Sequence, residues 1–137
     1  MTALRIAGWS NLVIGLLHLG ALPWERRMSY WVGIGPAMDR LEHTHALLPY
    51  AMWIAAAAAF GTCGLYTLSA AGSSRSLPFT RAAIVVITCI YVVRAVGGSG
   101  LGGFIEDASV KEAAFSTVAL MLAVLYVVGV WSLFRPS

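Results

Sequence analysis

The sequence predicts an all-α membrane protein: a polytopic four-helix bundle of up-down topology, with residues 1–137 forming one transmembrane domain. Three observations predict it. Hydrophobic residues make up 59% of the chain and charged residues only 11%, far from the composition of a soluble domain. The apolar residues are gathered into long uncharged runs, each near the ~20 residues a helix needs to cross ~30 Å of hydrocarbon. The connections between the runs leave no room for a second, soluble domain.

The first run spans residues 6–22. Arg5 followed by an apolar stretch imitates a secretory signal, but no convincing small-residue cleavage site follows it, so the segment is expected to stay as the first span. Within it Gly8, Asn11, Gly15 and His18 fall at spacings of 3, 4 and 3. They form one helical stripe that must face protein, since small residues allow helices to approach and Asn or His hydrogen-bonds across the contact. Residues 23–45 read as the longest loop, with Trp24, Tyr30 and Trp31 beside Glu25, Arg26 and Arg27, a mixture suited to the lipid headgroup level. Gly35 and Pro36 start a helix, which is expected to run through DRLEHTH into the second span with a kink at Pro49.

The second span covers residues 46–68, where the alanines 55–59 permit close packing in the bundle interior or at a subunit contact. AAGSSRSLP then forms a turn. The third span, residues 79–96, holds only twelve uncharged residues between Arg81 and Arg94, so those arginines sit at its ends or snorkel. A glycine-rich and then acidic connection, GGSGLGGFIEDASVKE, leads to the fourth span at residues 113–134. Unbroken runs choose helix over barrel, because lipid offers backbone groups no partner. Cys63 and Cys89 stand singly inside spans and read as packing residues.

Charge bears on orientation and partners. Nine basic residues face six acidic ones, with no basic run longer than Arg26 and Arg27, so nucleic acid is not an expected partner. Lys and Arg divide four to five between the side of the termini and the other side, which leaves orientation open. All six acids belong to the side away from the termini, and the expected placement is a bacterial inner membrane with both termini in the cytoplasm.

Every acid and all three histidines thus converge on one membrane face. On a helix over 36–48, Asp39 and His43 share a face at i, i+4, and Glu42 and His45 at i, i+3. A carboxylate beside an imidazole fixes its tautomer and favours the protonated ring, as acid-base chemistry requires; a solvated helix start explains the same residues without chemistry. His18 and Arg94 lie about one turn inside the apolar layer, roughly 5 Å deep. At that depth Arg94 needs water, an anion or a carboxylate, with Glu106, Asp107, Asp39 and Glu42 as candidates. The HTH spacing points the two imidazoles to different sides of a helix and lacks the i, i+4 spacing of a metal pair, so no metal is expected. The candidate catalytic groups are His18, His43, Asp39 and Glu42. The candidate ligand-binding groups are Arg94, His45, Asn11, Glu106 and Asp107.

Two stretches, GWSNLVIGLLHLG in the first span and IYVVRAVGGSGLGGF at the end of the third, resemble small bacterial four-helix membrane proteins of the DoxX-like group. The resemblance implies a compact four-helix bundle with His18 and Arg94 as matching positions, and no transferable reaction or cofactor; DRLEHTH lies outside it. Two readings follow. One is a module whose polar pocket binds a lipid-soluble small molecule, a membrane lipid or a partner helix, from a second copy or another membrane protein. The other is a membrane enzyme in which a histidine and a carboxylate move protons on a lipid-soluble substrate. A continuous proton path is poorly supported, because the apolar runs of spans two and four carry no ionisable residue.

Overall fold

The computed structural model describes residues 1–96 and 110–135, and these residues are helical without any strand. In chain order, α1 is Thr2–Ala21, a 3-10 turn covers Leu22–Trp24, and α2 is Glu25–Val32. Next come α3 at Gly35–Thr44, α4 at Leu48–Ala70, α5 at Thr80–Val96 and α6 at Val110–Phe134. Three helical stretches, Thr2–Val32, Leu48–Ala70 and Ala114–Phe134, are long and apolar enough to cross a membrane. The third expected span is α5, which has 17 residues.

Within residues 23–45, read as a loop with a helix starting at Gly35 and Pro36, that helix is present as α3 and the part before it is helical too, and the sequence explains the breaks between the helices. Pro23 cannot donate to the carbonyl four residues back, so the chain tightens into one 3-10 turn in which the N–H of Glu25 bonds Leu22 O. Gly33 ends α2 in the left-handed conformation at φ 91°. Its N–H reaches Tyr30 O, and the N–H of Ile34 reaches Ser29 O at 2.9 Å, the paired bonds of a glycine helix stop. The helix expected to run on from DRLEHTH into the second span is interrupted. His45 is extended, with φ −162° and ψ 128°. A proline at 49 would leave the carbonyl of residue 45 without its helical donor and press its ring against that oxygen. The chain therefore breaks before Pro49 instead of kinking at it, and Pro49 falls in the first turn of α4, where its missing N–H costs nothing.

The contacts divide the chain into two compact units, residues 10–63 and residues 1–9 with 64–137. In the first, α1 lies on α4 at Gly15. A Cβ there would come within 3.0 Å of Ala57 O and 3.3 Å of Gly61 N, so the backbones meet where only hydrogen fits. Asn11, Gly15 and, partly, His18 are turned inward, as the stripe predicts. Of the five alanines, Ala57 is buried while Ala55, Ala58 and Ala59 are exposed.

In the second unit α5 packs along α6. The rings of Tyr91 and Tyr126 stack at 4.9 Å, and Tyr126 Oη lies 2.8 Å from Thr67 Oγ1 on α4 in full burial. Gly8 meets Leu68 and Gly129 meets Leu4, which gathers the start of α1, the end of α4 and the end of α6 at one level.

The close approach at Gly15 sets a contrast. Gly15→Val should lower stability by about 1–3 kcal/mol, because the added carbons must push Ala57 away. Gly61→Ala, whose new methyl would meet nothing within 4 Å, should be neutral or gain up to about 1 kcal/mol from helix propensity. Thermal unfolding of the two variants in detergent checks both; equal losses would remove the contact from the account.

Candidate functional site

The polar residues of the 10–63 unit are held by three helices. α1 ends with His18 one turn before its last residue, and three residues separate α1 from α2. On α2, Glu25 and Ser29 are four residues apart and so share a face. That face is turned inward: Glu25 is 6% exposed and Ser29 is fully buried. Ser29 donates its hydroxyl proton to Glu25 Oε1 at 2.9 Å. It accepts in turn from Trp53 Nε1 of α4 at 3.0 Å. One hydroxyl thus links α2 to α4, and the buried carboxylate is the acceptor at the end of a short chain of hydrogen bonds.

His18 adjoins this chain through the indole. Its ring centroid is 5.3 Å from that of Trp53 and 5.1 Å from that of Phe60, with both pairs tilted. Its Nδ1 lies 2.8 Å from Ile14 O. A carbonyl only accepts, so Nδ1 carries the proton and Nε2 of the neutral ring is left as an acceptor. The imidazole is therefore fixed in tautomer by its own helix and held between aromatic rings. Trp53 and Phe60 are seven residues apart on α4, two turns, which places both on the face that meets α1.

Asp39 and His43 lie on α3 at the i, i+4 spacing read from the sequence, and the acids of DRLEHTH are engaged with α2. Asp39 accepts a hydrogen bond from the Tyr30 hydroxyl and lies 3.7 Å from the Arg26 guanidinium. Glu42 lies 4.0 Å from the same guanidinium. These groups tie α3 back onto α2, and Arg26 is largely exposed, so each ion pair contributes less than about 1 kcal/mol. His43 is exposed on α3. His45 lies beyond the end of α3, so it does not share a helical face with Glu42; its Nδ1 accepts the N–H of Leu47 at 3.2 Å. Among the described residues no hydrogen bond or ion pair joins His18 to residues 39–45.

The remaining expected residues belong elsewhere. Asn11 is fully buried on α1 and has a partner. Arg94 is exposed in the last turn of α5, beside Cys89, Ile90 and Val93, and forms no ion pair among the described residues. Glu106 and Asp107 lie outside the described residues. No group of three His, Cys, Asp or Glu among the described residues is placed to share a metal ion.

Glu25, Ser29 and Trp53 are the site residues that sequence reasoning missed. The usable signal was the i, i+4 spacing of Glu25 and Ser29 directly after a span, but Arg26, Arg27, Tyr30 and Trp31 hid it by marking the segment as surface. The structure satisfies both patterns, since those four residues are exposed on the other side of α2.

Removing the central hydroxyl tests the chain of bonds. Ser29→Ala leaves a buried carboxylate oxygen and an indole N–H each short of a partner, and should cost about 1–3 kcal/mol. In the Glu25→Gln background the same substitution should cost less, because a neutral amide is cheaper to leave short of a bond. A double-mutant cycle by chemical denaturation gives the coupling, and a value indistinguishable from zero would mean the two side chains act independently.

Comparison of the chain with family models, with curated proteins and with solved structures finds no match.

Proposed function

We propose that this chain is a small integral membrane protein that holds a lipid-soluble molecule against His18. The observation that supports this reading is the state of the imidazole: half-buried near the end of a span, fixed by Ile14 O, lodged between Trp53 and Phe60, and left with Nε2 as an acceptor. Aromatic walls with one oriented polar atom suit a flat apolar molecule carrying a hydroxyl or N–H. The buried pair of Glu25 and Ser29 on the other edge of Trp53 fixes the indole, so the wall is preorganised.

In this reading α1, α4, α5 and α6 form the four-helix bundle that the DoxX-like resemblance implies, crossing a bacterial inner membrane in up-down order with both termini cytoplasmic. α5 rises about 26 Å at 1.5 Å per residue, and Arg81 and Arg94 near its ends reach the headgroups by snorkelling. Asp39, Glu42 and Arg26 with Tyr30 hold α3 against α2 beside the site, and His43, His45 and Arg94 complete the polar groups offered to ligand or solvent.

A catalytic reading draws on the same atom. An imidazole of fixed tautomer with a free Nε2 is what a general base requires, and His18 would then accept a proton from the bound molecule, with no step assigned to a cofactor.

Replacing His18 by Phe keeps a ring between Trp53 and Phe60 and removes both nitrogens. Organic extracts of the purified protein, compared by mass spectrometry, should then hold roughly tenfold less of the co-purified apolar molecule than wild type, the equivalent of one lost hydrogen bond. Identical extracts from folded wild type and His18→Phe would end the proposal. If His18→Gln retains the molecule in unaltered form while wild type releases it chemically changed, the site is catalytic.

A further inference from the structure

The connection between α4 and α5 belongs to the other unit and is built around one unusual residue. α4 stops with the N–H of Ser73 on Leu68 O at 2.9 Å and that of Gly72 on Ser69 O at 3.0 Å. Ser69 Oγ accepts the N–H of Leu77 at 3.0 Å and lies 3.3 Å from Thr80 Oγ1, which donates to Leu77 O at 2.6 Å. These bonds pin Leu77 and Thr80 to the end of α4. Phe79, between them, is driven to φ 55°, the only non-glycine at positive φ among the described residues. A bulky side chain rarely adopts that conformation. The ring gains no packing in return, because it is 85% exposed, more than any other large hydrophobic residue described. A scattered exposed apolar residue needs no explanation; one held outward in a disfavoured conformation by the hydrogen bonds on both sides does.

The charge around it has one sign. Arg75 and Arg81 flank Phe79 and both are exposed. Arg5 and Arg135 belong to the same end of this unit, since Gly8 of α1 meets Leu68 near the end of α4, and Gly129 of α6, about one and a half turns before Arg135, meets Leu4. Residues 1–24, 43–105 and 113–137 contain no Asp or Glu. The four arginines therefore have no carboxylate of their own at this end among the described residues.

We infer that this end of the 1–9 and 64–137 unit is a binding site for anionic phospholipid. Phe79 inserts at the boundary between acyl chains and headgroups, where aromatic rings concentrate. Arg75 and Arg81 grip the phosphate with paired N–H donors. Arg5 and Arg135 supply the surrounding positive field, which favours a headgroup of net negative charge over a zwitterionic one whose ammonium it repels. This site is separate from His18 and stands or falls independently of the ligand proposed there.

The experiment uses the full chain purified in a mild detergent, with phosphatidylglycerol, phosphatidylcholine or inorganic phosphate added in turn. Lipid adducts are counted by native mass spectrometry, and thermal unfolding is followed in parallel. Wild type should prefer phosphatidylglycerol over phosphatidylcholine by roughly tenfold or more, given two arginines at the headgroup. R75Q/R81Q should lose most of that preference, R27Q/R40Q should keep it, and Phe79→Ser should bind both lipids more weakly. Should R75Q/R81Q fail to fold without lipid, R75K/R81K decides: the preference must survive in low salt and fade in high salt. A preference unchanged in folded R75Q/R81Q, one indifferent to salt in R75K/R81K, or stabilisation by inorganic phosphate equal to that by phosphatidylglycerol would overturn the assignment.

Discussion

The hydroxyl of Ser29 is the group on which the 10–63 unit depends. It is fully buried, donates to Glu25 and accepts from Trp53, and these two bonds decide which way α2 faces. With Glu25 and Ser29 turned inward, an α-helix has no choice about its other positions: Arg26, Arg27, Tyr30 and Trp31 must face outward. Arg26 and Tyr30 then become the groups that receive Asp39 and Glu42 of α3. The helix is inverted relative to a soluble amphipathic one, with its polar pair inside and its aromatics outside. That arrangement is stable where the outside is a lipid interface and the inside offers a hydrogen-bond partner for every buried polar atom.

Energetics separate the two polar clusters. The exposed ion pairs of Arg26 contribute little, because water screens them and the long side chain loses freedom on pairing. The buried bonds of Ser29 matter more, since each broken one leaves a group stranded from water. The segment richest in titratable residues, Asp39 to His45, is therefore held by weak contacts. The segment with one acid, Glu25 to Ser29, is held by strong ones. Density of charge in the sequence was a poor guide to where the polar groups are held most firmly.

Three of the four expected spans were legible because periodic or continuous apolarity is the strongest sequence signal, and so was the stripe of Gly8, Asn11, Gly15 and His18, whose spacing admits one face. The break at His45 was not, although Pro49 announced it: a proline can kink a helix or sit at the start of a new one, and only the surrounding chain decides. Within 23–45 the helix starting at Gly35 and Pro36 was legible and α2 was not, because Pro23 and Gly33 read as loop punctuation, while in the structure Pro23 lies in the 3-10 turn before α2 and Gly33 caps its end. Glu25 was counted with the acids of the surface, since nothing local distinguishes a solvated glutamate from one whose partner, Trp53, is reached through Ser29 from far along the chain. Phe79 gave no signal at all; its conformation comes from bonds made by Ser69 and Thr80.

Trp53 has a consequence of a different kind. Its indole N–H ends on α2 and its ring lies 5.3 Å, centroid to centroid, from an imidazole on α1, while its own backbone belongs to α4. A single chromophore is thus in contact with three helices, and its excited state is sensitive to the hydrogen bond at one edge and to the aromatic ring beside it. The molecule carries an optical gauge at the junction of these helices, and any displacement of one against another changes the light that this residue emits.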